Sequence, residues 1–213
     1  MIDKIITFVK DWHQNNQDGH GFDHVFRVYK LANLIAVDYP VADRQVILVA
    51  ALLHDTYDDK LVKDVLAAKT QVADFLTTIG FTKQDTVFGI IDHLSFSSEI
   101  QDGKPMLTLE GKIVQDADRL DAIGAFGITR TLQYGFARQR VLYDPKVQPK
   151  TYKTKSAYHE TKSTTINHFH EKLFKLSDTL HTNTAKKMAI PRDKLMRDFV
   201  TAIESEYNDV YGN

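Results

Sequence analysis

Apolar residues recur every three or four positions along most of this chain, and that rhythm predicts a succession of amphipathic helices rather than strands. Ile2, Ile5, Ile6, Val9 and Trp12 share one helical face ahead of the polar stretch 15–19. Val25, Val28, Leu31, Ala32 and Ile35 repeat the pattern between residues 23 and 38, with Pro40 just past the end. The run VILVAALL, inside a segment from about 41 to 57, is apolar all round, and its length and alanine-rich flanks favour a buried helix over a buried strand. Two further helices are expected near 70–79, with Gly80 as the stop, and near 83–94. The stretch LEGKIVQDADRLDAIGAFGITRTLQYG reads as one helix with small residues on one side. Lysines and two prolines, Pro145 and Pro149, interrupt any period between 138 and 158, which predicts a long loop. Helices near 164–180 and 191–211 close the chain, the second with Pro191 at its first position. The expected fold class is all-α, a helical bundle in one domain over residues 1–213, since neither a repeat nor a linker interrupts the pattern.

Composition changes this picture by exclusion. With 43% hydrophobic and 26% charged residues the chain has the makings of an ordinary core, so disorder is not its main state. Its net charge of -1, from 27 basic and 28 acidic side chains, gives no global attraction to nucleic acid or anionic membrane. The absence of cysteine removes disulfides, thiolate catalysis, iron–sulfur clusters and thiolate zinc sites together. Any metal must therefore be held by imidazole and carboxylate. The first residues lack the uninterrupted apolar core of a signal peptide, and no run approaches the roughly 20 apolar residues of a membrane span, so a cytoplasmic location is expected.

Candidate chemistry begins with His54-Asp55, a bare imidazole and carboxylate at the end of a strongly apolar run. Carboxylates are seldom buried without a partner. The alternative is a helix reaching solvent at its C-terminus, where the dipole also favours histidine. His24 upstream, the acids Asp58-Asp59 and the triple-aspartate segment Asp116, Asp118 and Asp121 weigh toward a metal site. Such a mixed nitrogen and oxygen set suits a divalent first-row ion such as manganese, iron, nickel, cobalt or zinc, with magnesium less favoured by the imidazoles, and manganese is the expected ion. If the helix continues, Asp58 lies at i+4 from His54 and faces the ligand side.

These residues also carry a resemblance. His24, His54-Asp55 and Asp118 in ADRLD follow the H…HD…D order of the HD phosphohydrolase superfamily, and GHGFDHVFRV, ALLHDTYDDKL, VQDADRLDAIGAFGITR and INHFHEKLFKL resemble a bacterial branch of small HD-domain hydrolases, over residues 18 to 205 or so. The resemblance implies a helical bundle of the HD type in which His24, His54, Asp55 and Asp118 converge on one divalent metal. Asp118 is preferred as the ligand because Arg119-Leu120 follow it as in the family pattern, which leaves Asp116 and Asp121 as supporting carboxylates. An acid at the offset of Asp58 assists hydrolysis in related enzymes, so Asp58 is the first candidate for acid–base work and Asp59 the second. Phosphate groups would be met by Arg27, Lys60 and Arg119, with His20 and His93 available to orient them or protonate a leaving group. Local pairing with aspartates is the competing role for the arginines. A basic lid over residues 138–158 would suit a polyphosphate, and an ordinary solvated loop would have the same composition.

The expected activity is metal-dependent hydrolysis of a small nucleotide, with release of pyrophosphate from a nucleoside or deoxynucleoside triphosphate as the leading form. Other HD enzymes act on nucleoside monophosphates or phosphodiesters, and a module that senses nucleotides without turnover is a further class. Intact Asp58 and Asp59 count against a sensor. Near-neutral charge counts against a nuclease. The expected partner is a nucleotide substrate rather than a membrane, and a homodimer is left open.

Overall fold

The computed structural model describes residues 1–14, 20–59, 61–94, 106–150 and 163–212. The described residues are helical, with no strand among them, as the periodicity predicts. None of the described helices is long and apolar enough to cross a membrane. The chain divides into two compact units, Met1–Asp118 and Arg119–Asn213.

In the first unit, α1 (Ile2–Trp12) buries Ile5 and Val9, and α2 (Phe22–Ala36) buries His24, Val25, Val28, Ala32 and Ile35. Both pack against α3 (Arg44–Leu53), which is enclosed nearly all round and so carries Ile47, Val49, Leu52 and Leu53 with no exposure at all. Each such side chain removed from water contributes about 2 kcal/mol. The start of α3 is set by Asp43, whose carboxylate accepts from the Gln45 and Val46 amides, a cap worth about 1 kcal/mol. Its backbone amide donates to Glu110 Oε1 at 2.9 Å, which ties α3 to α6 (Leu109–Asp121).

α3 ends sooner than its apolar run predicts. Helical geometry stops at Leu53, and the expected continuation to Tyr57 is a sequence of turns in which the Thr56 amide and hydroxyl both donate to the Leu53 carbonyl. The hydroxyl satisfies a terminal carbonyl locally and lets the chain leave the helix. α4 (Val65–Thr78) and α5 (Gln84–Ile91) follow. Gly80 ends α4 as expected: its φ of +74° permits the Phe81 amide to donate to Leu76 O.

In the second unit the single helix expected from 109 to 135 is broken. α6 stops at Asp121, and α7 (Gly124–Ala137) starts from Gly124 with φ +75°. A Cβ there would lie 2.7 Å from Arg192 Cγ, so both the backbone and the neighbour require glycine. Residues 138–150 are irregular, in keeping with the loop expected there, and 151–158 lie outside the described residues. The helix expected near 164–180 is irregular: a π-helical turn, Phe169–Leu173, runs through Phe174–Leu176 into a 3-10 turn, Ser177–Thr179. The last helix, α8 (Asn183–Tyr211), begins eight residues before Pro191, which lies inside it. The Thr182 hydroxyl, accepting from the Ala185 amide, starts the helix instead, and burial of Ala185, Ala189, Met196 and Val200 carries it through a residue with no N–H to give.

Candidate metal centre

Local structure explains why His54 is fixed. It caps the C-terminal end of α3, where its Nδ1–H donates to the Ala51 carbonyl at 2.9 Å. That bond consumes the Nδ1 proton and leaves the Nε2 lone pair facing inward, the orientation in which metal-ligating imidazoles are held. His24 sits in the first turn of α2, and its Nε2 lies 3.2 Å from His54 Nε2. Asp55 Oδ2 is 3.4 Å from His24 Nε2, Asp55 Oδ1 is 3.5 Å from His54 Nε2, and Asp118 Oδ1 lies 3.6 and 3.7 Å from the same two nitrogens. All four residues belong to the first compact unit.

The spacing tests whether a cation fits. Ligands about 2.1 Å from a common ion stand about 3.0 Å apart at right angles and about 3.4 Å apart at tetrahedral angles. The observed separations fall close to that interval, and the converging atoms are predominantly acceptors. The set therefore fits a divalent ion bound by nitrogen and oxygen, and His24, His54 and Asp118 form one group of potential ligands while His20, His24 and Asp55 form another.

Exposure gives the centre an open side. His24, His54 and Asp55 are buried, whereas the side chains of Asp118 and His20 are about one-third exposed, at 33% and 32%. His20 Nδ1 is 3.0 Å from Asp55 Oδ2. Burial by itself would raise the Asp55 pKa, but His54, His20 and His24 outweigh it and hold the carboxyl well below its ordinary range. Asp55 is thus anionic at neutral pH, as a ligand must be.

The other expected site residues are placed less uniformly. Asp58 is partly exposed in the turn after α3, and Asp59 is exposed beside it. Arg27 donates to Asp23 at 2.7 Å, one helical turn back. His93 is exposed at the end of α5, its Nδ1–H donating to Gly89 O at 2.8 Å. Arg119, in the second unit, is buried, and its Nη1 donates to the Thr179 carbonyl at 2.9 Å. Asp116 is fully buried, and Asp121 accepts from Arg130 Nη1 at 3.1 Å. Lys60 lies outside the described residues.

His13 is not among the residues that the pattern singles out, yet it is 2% exposed and interacts electrostatically with Asp55, His54, His24 and His20. Burial pushes its pKa down to about 4 against the pull of Asp55, so it is neutral at pH 7. Its place at the end of an amphipathic helix carries no spacing signal toward residues 24 or 54.

Residues 21–123 match the family described as HD domain. Across 97% of this chain and 96% of the other, the structure matches the crystal structure of an HD-superfamily hydrolase from Bacillus thuringiensis, with 36% identity and a TM-score of 0.72. The chain belongs to the HD superfamily of hydrolases. Its relatives include the uncharacterised protein YpgQ of Bacillus subtilis, 36% identical over 208 residues, which are 97% of this chain and 93% of that one. The crystal structure of YpgQ in complex with ADP aligns over 100% of this chain and 99% of that chain with a TM-score of 0.75, the structural alignment giving 32% identity. A crystal structure from Lactobacillus plantarum is similar over 98% of this chain and 97% of its own, at 39% identity and a TM-score of 0.89. HD domains bind divalent metals, and the His/Asp cluster of this HD chain has the donors to hold one.

Proposed function

We propose that this chain is a metal-dependent phosphohydrolase that converts a nucleoside or deoxynucleoside triphosphate to the monophosphate and pyrophosphate. The observation that carries the reading is the convergence of two imidazole Nε2 atoms, 3.2 Å apart, with the carboxylates of Asp55 and Asp118. The ADP complex of YpgQ supports a small nucleotide as the ligand.

In this reading His24, His54, Asp55 and Asp118 hold the cation, with manganese the first choice for a mixed imidazole and carboxylate set. A bound divalent ion supplies Lewis acidity toward a phosphoryl oxygen and acidifies water. Asp58 accepts the proton of the attacking water, whose oxygen forms a bond to the α-phosphorus as the bridging bond to the β-phosphate breaks. Asp59 is the substitute acid–base group. Pyrophosphate leaves with the bridging oxygen, and His20 or His93 can return a proton to it. Arg27, Lys60 and Arg119 are the candidate phosphate contacts, and Arg119 serves that role only if its bond to Thr179 O is exchanged for one to the substrate.

The test is to incubate the manganese-loaded protein with nucleoside mono-, di- and triphosphates and resolve the products by chromatography. Monophosphate plus pyrophosphate is expected, with turnover cut about a thousandfold to a residual, measurable rate in Asp58→Asn while bound manganese is retained. Release of orthophosphate alone would replace the reading with a phosphatase, and tight metal binding without turnover of any nucleotide would replace it with a sensor.

A further inference from the structure

The early end of α3 leaves Asp58 five residues beyond the last helical residue, so the helix does not aim it. Within the turn, His54 is bonded back to Ala51 O and the Thr56 hydroxyl to Leu53 O, both contacts within the same segment. Tyr57 reaches other elements. It is 6% exposed, its ring meets Phe88 of α5 edge-on at 6.0 Å, and its hydroxyl donates to Asp92 Oδ1 at 3.1 Å. Asp92 caps the C-terminal end of α5 and receives Lys69 of α4 through both oxygens, at 2.9 and 2.7 Å. The Lys69 ammonium also lies 5.3 Å from the Tyr57 ring and 5.2 Å from the Phe88 ring. Side chains of two elements, α4 and α5, therefore meet on the residue that directly precedes Asp58.

We infer that Tyr57, Asp92 and Lys69 form a latch that positions the Asp58 carboxylate for proton transfer. The inference rests on the hydrolytic reading above. Tyr57 and Asp92 touch neither substrate nor reacting atoms in this scheme and act through Asp58, so they are positioning residues. A bond donated from a buried phenol to a carboxylate that is itself paired with an ammonium is geometrically specific. Such a fixed turn limits the arc through which the next side chain moves, and misplacement of a catalytic group by about 1 Å can cost on the order of a hundredfold in rate.

A double-mutant cycle tests it on the manganese-loaded protein. Tyr57→Phe is expected to lower kcat about tenfold with KM, manganese affinity and melting temperature little changed, and Asp92→Asn, which keeps an acceptor for the phenol but loses the charge, less than that. In an Asp58→Asn background, Tyr57→Phe is expected to produce no further loss. An equal tenfold loss in both backgrounds, or no loss in the parent, would overturn the latch. A parent with no nucleotide turnover, or an Asp58→Asn variant as active as the parent, would instead overturn the reading on which it rests.

Discussion

Two sets of acids in this molecule behave differently. In the second unit, Asp121 is 3% exposed and accepts from the Arg130 guanidinium, and the buried Glu171 accepts from the Lys150 amide at 3.1 Å and the Ser163 hydroxyl at 2.7 Å. Each has a protein donor of its own, as buried carboxylates ordinarily do. In the first unit, Asp55 and Asp118 converge on two imidazole nitrogens that also face one another. Asp121 and Glu171 are met by guanidinium, amide and hydroxyl donors, whereas Asp55, which also meets His20 Nδ1 at 3.0 Å, and Asp118 stand with the two imidazoles as a group that has the donors to hold a cation.

The contrast is most strongly tested at its centre. His54→Ala is expected to lower phosphohydrolysis on the order of 10⁴-fold. It should also abolish the rise in melting temperature expected if manganese binds the folded state. A variant that keeps that thermal shift would remove His54 from the ligand set. Asp121→Ala addresses the other side: it removes a buried carboxylate that accepts from Arg130 and should cost about 3 kcal/mol, read as a lower urea midpoint. Manganese titration of the folded variant should match the parent, and a weakened cation affinity would erase the distinction between the two sets of acids. Gly124→Ala should destabilise by about 1–2 kcal/mol, since it combines a left-handed φ with a close approach to Arg192. An unchanged midpoint would show that the break between α6 and α7 does not depend on glycine.

The mildest test needs no substitution at first. His13 is held at a pKa of about 4 by burial, below its ordinary 6.5, so the unfolded chain takes up this proton before the folded one does. The stability associated with neutral His13 is complete above about pH 6.5 and is lost as pH falls toward 4. Melting temperatures of the metal-free protein should decline across that window, and His13→Gln should flatten the decline. A slope unaltered by the substitution would mean that other groups govern it.

Much of this was legible in the sequence because helical burial has a period. The apolar positions of α1, α2 and α3 mark their buried faces, Gly80 marks a stop, and the order of His24, His54-Asp55 and Asp118 marks a metal-binding family. The breaks were less legible. A hydroxyl that returns to its own helix, as Thr56 does, looks like any polar residue in a string, and Pro191 reads as a start although Thr182 supplies an earlier one. His13 and the Tyr57–Asp92–Lys69 contacts have no signature at all: Asp92 lies 35 residues from Tyr57 and 23 from Lys69, and such groups become neighbours only through packing.

The sequence by itself determined the all-helical class, the exclusion of thiolate chemistry and the candidate donor residues, because periodicity, composition and residue type are properties of a linear chain. Only the tertiary structure decided which nitrogen of His54 faces the cluster, which carboxylates stand within 4 Å of it and which are neutralised by arginine, and what holds the turn before Asp58. Those outcomes depend on distance and burial, which arise when helices far apart in sequence pack together.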